Sequence, residues 1–597
     1  PMSGVGNKYQ IQSLSNCFVV KCPEDSYGGI LKTDQEQVQI MKRRGGVGFD
    51  VSTIRPRGLR TSNAAKTTDG IGVFMERFSN SCREVAQGGR RGALMLTISV
   101  HHPDIETFVK IKRDLTKVTG ANISIRLTDE FMKAVEKDQD YELRFPVEKD
   151  SDRLVSQNIS AKSIWDQVIE SAHRSAEPGL LFWDNVLNYT PAQIYKDEGF
   201  HTISTNPCSE ITLSAYDSCR LLLLNLTSFV ENPFKKNAKF NYELFNECAQ
   251  KSQRLMDDLI DLELECVDRI IQKIQKDPEA IDTKRVELDL WNKIKKAALD
   301  GRRTGLGVTG LGDTIAMLGL KYGSKQSIVK TEHIYRELAV ASYKSSCILA
   351  NERGAFPVYN YNKEEGHPFI ERLFEYSPEL RHLHKEFGRR NIALTTTAPC
   401  GSVSVLTQTT SGIEPPFMLK YTRRKKVNPN DPDAQVDFVD DLGDKWQEFD
   451  VYHHGYKKWM NITGKSKIEE SPYYGATANE IVWETAVDLQ AAAQKWVCHA
   501  ISKTINLPSE VTVDDVKKVY WRGWKKGLKG VTVYRDGCRS GVLVSKTEND
   551  ELKFKTHSAP PRPEELDCHI HHASIKGEAW TILVGLLNGR PYEVMGG

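Results

Sequence analysis

The chain has 597 residues, with 81 Lys and Arg against 79 Asp and Glu, so its formal net charge is only +2. This balance gives no broad basic field and argues against direct nucleic acid binding through phosphate charge. Apolar residues make up 39% and charged residues 27%, as in globular proteins with a sizeable core. The most apolar stretch, Leu221–Leu224, is too short for a membrane span, and the first residues do not resemble a signal peptide. We therefore expect a cytoplasmic protein without membrane segments.

Strand-like runs alternate with amphipathic helical stretches along the chain. The predicted strands are Ala121–Leu127, Gly179–Phe182, Ile392–Thr397 and Gly530–Tyr534. The predicted helices are Gln35–Arg43, Phe245–Asp258 and Ala486–Ser502. Such alternation is typical of parallel strands joined by helical crossovers, and it predicts one large α/β domain over residues 1–545. The polar residues 546–563 predict a linker, and residues 564–597 predict the start of a truncated small C-terminal domain.

The 12 cysteines are spread along the chain, with neither a CxxC pair nor zinc-type Cys/His spacing. We therefore expect no metal site, and we interpret most of the cysteines as small buried apolar residues. A catalytic role for any one of these cysteines can therefore be inferred only from the residues that surround it.

Three segments contain glycines that could bring the backbone close to a ligand. Gly45–Gly48 leads to Arg55, which suits a phosphate, although a simple turn explains these glycines equally well. Gly305–Gly310 matches the GxGxxG fingerprint, but charged helical sequence precedes it, so we predict tight helix or turn packing instead of dinucleotide binding. Pro399–Ser404 follows a β-branched run and begins a helix, which favours either a phosphate site or a plain capped helix.

The most informative cluster is Asn206, Cys208 and Glu210. In an extended backbone, residues two apart share a face, so an amide, a thiol and a carboxylate would point into one space. A packed core does not favour this set, because Asn and Glu would need partners there. Cys219 follows shortly after, and no histidine is close in sequence to serve as a base. The group therefore favours thiol redox or radical chemistry over a hydrolase nucleophile.

At this cluster the sequence resembles the catalytic subunit of ribonucleotide reductases. The resemblance covers nearly all of residues 1–545, and the segments that carry it are Asn16–Phe18, Gly45–Gly48, Asn206–Glu210, Cys219, Arg303–Gly307, Pro399–Val403 and Thr410–Pro416. Within the family, Ser502–Pro508 and Lys529–Arg539 are most similar to the adenosylcobalamin-dependent class II enzymes. Two alternatives stay open: a class I-type large subunit that needs a separate radical subunit, and a non-catalytic nucleotide-binding homologue.

The resemblance implies a ten-stranded α/β barrel made of two five-stranded parallel halves. An internal finger loop would carry the radical residue, Cys208. Glu210 would accept the 3′-hydroxyl proton of the substrate, and Asn206 would orient the substrate. Cys17 and Cys219 would supply the reducing equivalents and end as a disulfide. The implied product is a 2′-deoxyribonucleotide for DNA synthesis, with adenosylcobalamin as the source of the radical.

The resemblance also implies binding residues. The ribonucleoside diphosphate substrate would contact Asn16, Cys17, Gly46, Pro399, Cys400, Gly401, Ser402 and Val403. A dNTP or ATP effector would contact Asp25, Ser26, Arg55 and Lys117. In the family the effector site lies at a dimer interface, so we expect a homodimer, with a thioredoxin-like protein as reductant. The N-terminal region and the C-terminal CxxC shuttle of relatives are expected to be missing, which makes the chain a fragment or a split piece.

Overall fold

The structure is a computed structural model that describes residues 11–85, 92–426, 436, 438–439, 445–538, 565–575, 578–587 and 590–596. The chain divides into two compact units. The first unit comprises residues 1–420 and 452–540, and the second comprises residues 421–451 and 541–597. The predicted linker 546–563 lies outside the described residues. In the part of the chain described, no helix is long and apolar enough to cross a membrane.

The strands are short, and most of those in the first unit are buried. In chain order they are β1 Cys17–Val19, β2 Gly46–Asp50, β3 Leu94–Ser99, β4 Asn122–Leu127, β5 Asp140–Phe145, β6 Val155–Ser160, β7 Gly179–Phe182, β8 Thr202–Thr205, β9 Thr212–Ser214, β10 Ser218–Cys219, β11 Leu221–Asn225, β12 Val230–Glu231, β13 Lys239–Phe240, β14 Gly305–Thr309, β15 Lys420–Lys426, β16 Phe438–Val439, β17 Lys445–Tyr452, β18 Thr504–Leu507, β19 Gly530–Arg535, β20 Asp567–Ile575, β21 Glu578–Leu587 and β22 Arg590–Gly596.

The helices connect these strands and cover the sheet. In chain order they are α1 Tyr27–Met41, α2 Ile71–Glu84, α3 Ile105–Lys110, α4 Asp129–Glu136, α5 Ala161–Ser175, α6 Trp183–Asn188, α7 Tyr242–Lys276, α8 Ile281–Gly301, α9 Leu311–Met317, α10 Lys325–Arg353, α11 Tyr361–Glu364, α12 Pro368–Tyr376, α13 Pro378–Phe387, α14 Gly401–Thr407, α15 His454–Thr463, α16 Trp483–Gln494 and α17 Val513–Lys525. Short 3-10 turns supplement them, including one at Ile111–Arg113.

An eight-stranded mixed sheet forms the framework of the first unit, in the order β10-β1-β2-β3-β4-β7-β19-β18. Strands β1, β2, β3, β4 and β7 are parallel neighbours. Strands β18 and β19 are parallel to each other, whereas β19 is antiparallel to β7 and β10 is antiparallel to β1. The parallel strands with helical crossovers confirm the predicted α/β class, and β4, β7 and β19 match three predicted strands.

The remaining strand pairs of this unit continue the same pattern. Strand β11 lies parallel to β14, with Leu221 opposite Gly305. Isolated parallel bridges then join Leu306 to Thr395 and Thr397 to Ile501. The predicted strand Ile392–Thr397 is therefore a series of bridges and not a regular strand, because its hydrogen bonds are shared between β14 and residues 500–502. Helix α16 ends at Gln494, well before the predicted Ser502, because residues 499–502 form hydrogen bonds with Thr395 and Thr397 instead of helical ones.

The sequence Gly305–Gly310 was predicted to be a turn or helix, and this prediction is wrong. Residues Gly305–Thr309 are strand β14, buried throughout. A Cβ atom at Gly305 would lie 2.7 Å from the sulfur of Cys219, and one at Gly307 would lie 2.5 Å from the carbonyl oxygen of Thr396. The glycines are needed because neighbouring segments approach this strand so closely.

The second unit contains two small sheets. One is the antiparallel sheet β20-β21-β22, in which Ile570 pairs with Leu583 and Leu583 with Met595. The other has the strand order β15-β17-β16, with β16 antiparallel to β17.

Candidate active site

A β-hairpin formed by β8 and β9 carries the cluster that the sequence singled out. Strands of the large sheet hold one side of it: a Cβ atom at Gly48 would lie 1.8 Å from the carbonyl oxygen of Thr205, and the hydroxyls of Thr97 and Ser204 are 2.9 Å apart. On the other side, the Thr396 hydroxyl donates to the carbonyl oxygen of Glu210 at 2.7 Å. The hairpin is thus held between the large sheet on one side and the bridged segment at Thr395–Thr397 on the other.

The tip of this hairpin is a tight turn, so the expected extended backbone at Asn206–Glu210 is wrong. Ser209 has a φ of 65°, and its N–H donates to the carbonyl of Asn206 at 3.0 Å. The Asn206 side-chain oxygen accepts from the N–H of Ile211 at 3.0 Å, which closes the turn. Asn206 and Glu210 point into the protein, whereas Cys208 lies exposed at the tip.

Cys17 is the point on which these side chains converge. The amides of Asn16 and Asn206 each donate to its sulfur at 3.1 Å, and Glu210 Oε1 lies 4.0 Å from the sulfur. Cys17 starts strand β1, and its antiparallel partner in β10 is Cys219. Both cysteines are buried and both are free thiols. Two thiols opposite each other in neighbouring strands form a dithiol that can close to a disulfide with little backbone movement.

The Glu210 carboxyl group is tuned for proton transfer near neutral pH. Burial raises its pKa from 4.5 to about 7, although the hydrogen bond from Asn206 opposes this increase. Its Oε2 atom and the Oδ1 atom of Asn16 are buried without a hydrogen-bond partner among the described residues. Two unsatisfied acceptors beside the thiols are costly unless a polar ligand occupies the space between them.

The three thiols are all held in the neutral form. Burial, followed by the charge of Glu210, raises the pKa of Cys17 well above its usual range, and burial also raises the pKa of Cys219. The Cys208 side chain is exposed, yet enough protein surrounds its sulfur to raise its pKa to about 12. Because the thiolate is the nucleophilic form, neutral thiols disfavour nucleophilic catalysis and suit hydrogen-atom transfer.

A buried ion pair that sequence reasoning did not identify as functional supports the dithiol. Arg303 pairs with Asp217, and both side chains are only 1% exposed. Arg303 also donates to the Thr212 carbonyl of the hairpin at 3.3 Å, while Asp217 accepts from the N–H of Ser218 at 2.8 Å. The pair therefore ties the hairpin to the strand that carries Cys219. In the sequence, Arg303 stands out only as part of a family motif, and no sequence pattern marks Asp217 as functional.

The segment Pro399–Val403 lies at the start of α14, near Glu210. Cys400 is buried, and the charge of Glu210 contributes to raising its pKa. Pro399, Gly401, Ser402 and Val403 are exposed. A Cβ atom at Gly401 would meet no atom within 4 Å, so the backbone here is open to a ligand. Gly46, at the start of β2, approaches the hairpin instead, since a Cβ atom there would lie 3.0 Å from Pro207.

A separate cavity of about 300 Å³ lies beside α1 and α2, and three of the four predicted effector residues line it: Asp25, Ser26 and Arg55. Asp25 accepts from the backbone N–H of Arg55 at 3.0 Å and from its guanidinium at 2.9 Å. Lys117 is not among the lining residues and is exposed on the loop that precedes β4. Among the residues described, no group of three or more His, Cys, Asp or Glu side chains could hold a metal ion.

Comparisons with known proteins show the family of this chain. The chain matches the barrel domain of ribonucleotide reductase over residues 15–534. It is 30% identical over 544 residues to a vitamin B12-dependent ribonucleoside-diphosphate reductase of Mycobacterium tuberculosis, which covers 89% of this chain and 69% of that protein. A protein of the same description from Thermoplasma acidophilum is 30% identical over 549 residues, or 90% of this chain and 63% of the relative. The chain belongs to the ribonucleotide reductase family.

A relative of a different type is less similar. The ribonucleoside-diphosphate reductase large chain of Cryptosporidium parvum is 24% identical over 594 residues, which covers 91% of this chain and 68% of that protein. The two relatives that are 30% identical are both vitamin B12-dependent enzymes, which favours the vitamin B12-dependent group that the sequence predicted.

Proposed function

We propose that the protein is an adenosylcobalamin-dependent ribonucleoside-diphosphate reductase that produces 2′-deoxyribonucleotides for DNA synthesis. One observation carries this proposal: Asn206 and Glu210 converge on a buried Cys17–Cys219 dithiol, while Cys208 lies exposed at the tip of the same hairpin. A non-catalytic nucleotide-binding homologue has no use for this combination. The test is anaerobic formation of dCDP from CDP that depends on adenosylcobalamin and a dithiol.

Each of the catalytic residues has its own role in the proposed reaction. The Cys208 sulfur, as a thiyl radical, takes the 3′ hydrogen atom of the ribose, and Glu210 accepts the 3′-hydroxyl proton. The 2′-hydroxyl then takes one proton from the dithiol and leaves as water. Cys17 and Cys219 give up two electrons and two protons in all, including this one, and become a disulfide. Glu210 returns its proton to the 3′ oxygen, and Cys208 returns the hydrogen atom to C3′. A thioredoxin-like dithiol protein would reduce the disulfide for the next turnover. The free thiols fit a reducing compartment, from which we infer a cytoplasmic location.

The residues around Cys208 fit adenosylcobalamin as the cofactor. When bound, it supplies the radical equivalent that oxidises the Cys208 thiol. Cys208 is exposed, whereas the two thiols of the dithiol are buried, so an external radical can reach Cys208 but not the dithiol. Val405 and Leu406, on helix α14, are 76% and 84% exposed. Such an apolar surface suits packing against a face of the corrin ring, and we propose these two residues to hold the cofactor.

We further propose that the first unit closes into the ten-stranded barrel of the family. Its first half would be β1, β2, β3, β4 and β7, which are already parallel neighbours. Its second half would be β19, β18, the bridged segment at Thr395–Thr397, β14, and β10 continuing into β11. The bridges Leu306–Thr395 and Thr397–Ile501 support this order, and the antiparallel pairs β7–β19 and β1–β10 would join the halves.

For the substrate, we propose that Pro399–Val403 binds the diphosphate and that Asn16, Cys17 and Gly46 lie near the ribose. Backbone N–H groups at the start of α14 can donate to phosphate oxygens. The unpartnered oxygen of Asn16 supports a polar ligand beside Cys17, because a ribose hydroxyl would satisfy it.

For regulation, we propose that the cavity lined by Asp25, Ser26 and Arg55 binds a dNTP or ATP effector, and that the protein is a homodimer. Arg55 would bind phosphate, and Lys117 would contact the effector from the loop before β4. Tyr27 and Val73, on the two helices beside the cavity, are 62% and 50% exposed. Large exposed apolar side chains on adjacent helices support a subunit interface at this position.

Replacing Arg55 by glutamine tests the effector site. The change removes the guanidinium, and a charge-assisted hydrogen bond contributes about 1.5–3 kcal/mol, so dTTP affinity should fall at least about tenfold. Isothermal titration calorimetry measures this directly. Lys117→Gln is the comparison: because Lys117 lies outside the cavity lining, its effect should be smaller. Equal dTTP affinity in Arg55→Gln and the unmodified protein would contradict the assignment.

The raised pKa of Glu210 predicts two pH effects. Because the carboxylate must be ionised to accept a proton, kcat/KM for CDP should rise with pH through about 7, well above the ordinary glutamate value. Stability should change in the opposite direction. Between pH 4.5 and about 7 the folded protein retains the Glu210 proton, whereas the unfolded chain releases it. The contribution of this proton to the free energy of unfolding is therefore fully present below pH 4.5 and is lost as the pH rises to about 7.

The matched variant is Glu210→Gln, which keeps the shape and removes the charge. This variant cannot accept the 3′-hydroxyl proton, so CDP reduction should be lost. Above pH 7 it should be more stable than the unmodified protein by up to about 3 kcal/mol. Denaturant unfolding at pH 5 and pH 8 measures the second effect. A stability difference that is the same at both pH values would show that Glu210 titrates normally.

A further inference from the structure

Asn122 holds the peptide group that directly precedes the radical cysteine. It is the first residue of β4, and its side-chain N–H donates to the carbonyl oxygen of Pro207 at 2.9 Å. Gly46 borders Pro207 as well, since a Cβ atom at Gly46 would lie 3.0 Å from Pro207 Cγ. The Pro207–Cys208 peptide is therefore positioned by one side-chain hydrogen bond and one close backbone surface.

The loop that leads into Asn122 is anchored where it meets the sheet. Lys112, in the short 3-10 turn at the start of the loop, donates to the carbonyl of Ala121 at 2.5 Å and forms an ion pair with Glu177. Arg113 donates to the hydroxyl of Ser171 in α5 at 2.8 Å. Lys112 therefore joins the two ends of the loop and holds Ala121, the residue that directly precedes Asn122.

Helix α2 connects this same loop to the effector cavity. The N–H of Val118 donates to the Glu76 carboxylate at 3.2 Å, and the N–H of Gly120 donates to the Ser79 hydroxyl at 2.9 Å. The contact at Gly120 is tight, because a Cβ atom there would lie 2.4 Å from the carbonyl oxygen of Ser79. Earlier in the same helix, Val73 and Phe74 line the cavity. A ligand in the cavity and the loop before Asn122 thus contact one continuous helix of 14 residues.

We infer that Asn122 is a positioning residue through which the effector cavity controls the placement of Cys208. The contacts run from the cavity to α2, from α2 to the loop, and from Asn122 to the peptide before Cys208. This inference rests on the proposed function. Because every substrate reacts with the same sulfur, a shift of Cys208 changes the rate for every substrate by the same factor.

The test follows the position of Cys208 without the cofactor. Cys208 is exposed, whereas Cys17 and Cys219 are buried, so iodoacetamide should alkylate Cys208 before either thiol of the dithiol. Peptide mapping by mass spectrometry gives the rate at Cys208 separately from the rate at Cys568, the other exposed cysteine. Saturating dTTP should change that rate in the unmodified protein on the order of fivefold. In Asn122→Ala the change should fall below about twofold. Asn122→Gln, which keeps an N–H donor, should restore it. Asn158→Ala, at an exposed asparagine of strand β6, is the matched control and should behave as the unmodified protein.

A second readout separates positioning from folding. In the holoenzyme, Asn122→Ala should lower kcat for CDP and GDP by the same factor and leave KM unchanged, with dTTP binding retained. The inference is overturned if Asn122→Ala binds dTTP and keeps the full labelling response. If dTTP binds the unmodified protein without changing the rate of Cys208 labelling, the inference is also overturned, although the proposed effector site stands. If dTTP does not bind the unmodified protein at all, the proposed effector site fails and this inference fails with it.

Discussion

Cys208→Ala is expected to lower the rate of CDP reduction at least about 10⁴-fold while leaving the fold intact. Neither thiol of the dithiol can replace Cys208, because Cys17 and Cys219 are buried and both are needed as reductants. Because Cys208 is exposed at a turn, its truncation leaves no cavity in the core, and the unfolding temperature should change little. The measurement is the rate of dCDP formation beside a thermal unfolding curve.

The matched control is Cys568→Ala, which truncates another exposed cysteine, in strand β20 of the second unit. It should retain full activity. Measurable turnover by Cys208→Ala above that of a heat-inactivated sample would show that a different residue carries the radical. A large loss of thermal stability in Cys208→Ala alone would mean that the residue has a structural role.

Loss of either buried cysteine has the second largest expected effect. Cys17→Ala and Cys219→Ala each remove half of the dithiol, so the substrate can no longer receive two electrons from a disulfide-forming pair. Steady-state turnover should fall at least about 10³-fold in each variant. Cys208 is unchanged in both, so exchange of the 3′ hydrogen is expected to persist. The measurement combines dCDP formation with mass-spectrometric mapping of disulfides after turnover without added reductant.

Cys347→Ala is the control for the loss of a buried thiol. Cys347 lies in the core on helix α10, so this variant has a comparable packing cost and should keep its activity. In the unmodified protein, mapping should find one new disulfide, between Cys17 and Cys219. A disulfide that pairs either of them with Cys400 would contradict the roles assigned here.

The sequence predicted the α/β fold class and the enzyme family because both depend on local patterns. Buried apolar runs bounded by turns located β4, β7 and β19, and the spacing of Asn206, Cys208 and Glu210 pointed to one site. The backbone that joins these three residues was not predictable. The left-handed conformation falls on Ser209, a residue type that seldom signals it, and so the turn resembled an extended strand.

The supporting contacts could not be predicted, because they join residues far apart in the chain. Asp217 meets Arg303 across 86 positions, and Asn122 meets Pro207 across 85. Neither pair leaves a periodic or compositional pattern. The same holds for the bridges at Thr395 and Thr397, where a predicted strand shares its hydrogen bonds between two neighbours. The roles of the effector and substrate residues stay predictions that the variants above test.

The central claim is that Cys208 becomes a radical with adenosylcobalamin and that the radical reduces ribonucleotides. The most direct test is anaerobic incubation with CDP, dithiothreitol, dTTP and adenosylcobalamin, followed by a dCDP assay and electron paramagnetic resonance on the same sample. We predict dCDP together with a coupled cob(II)alamin–thiyl signal, and the loss of both in Cys208→Ala. Formation of dCDP without adenosylcobalamin, or a cofactor-dependent thiyl signal that persists in Cys208→Ala, would contradict the account.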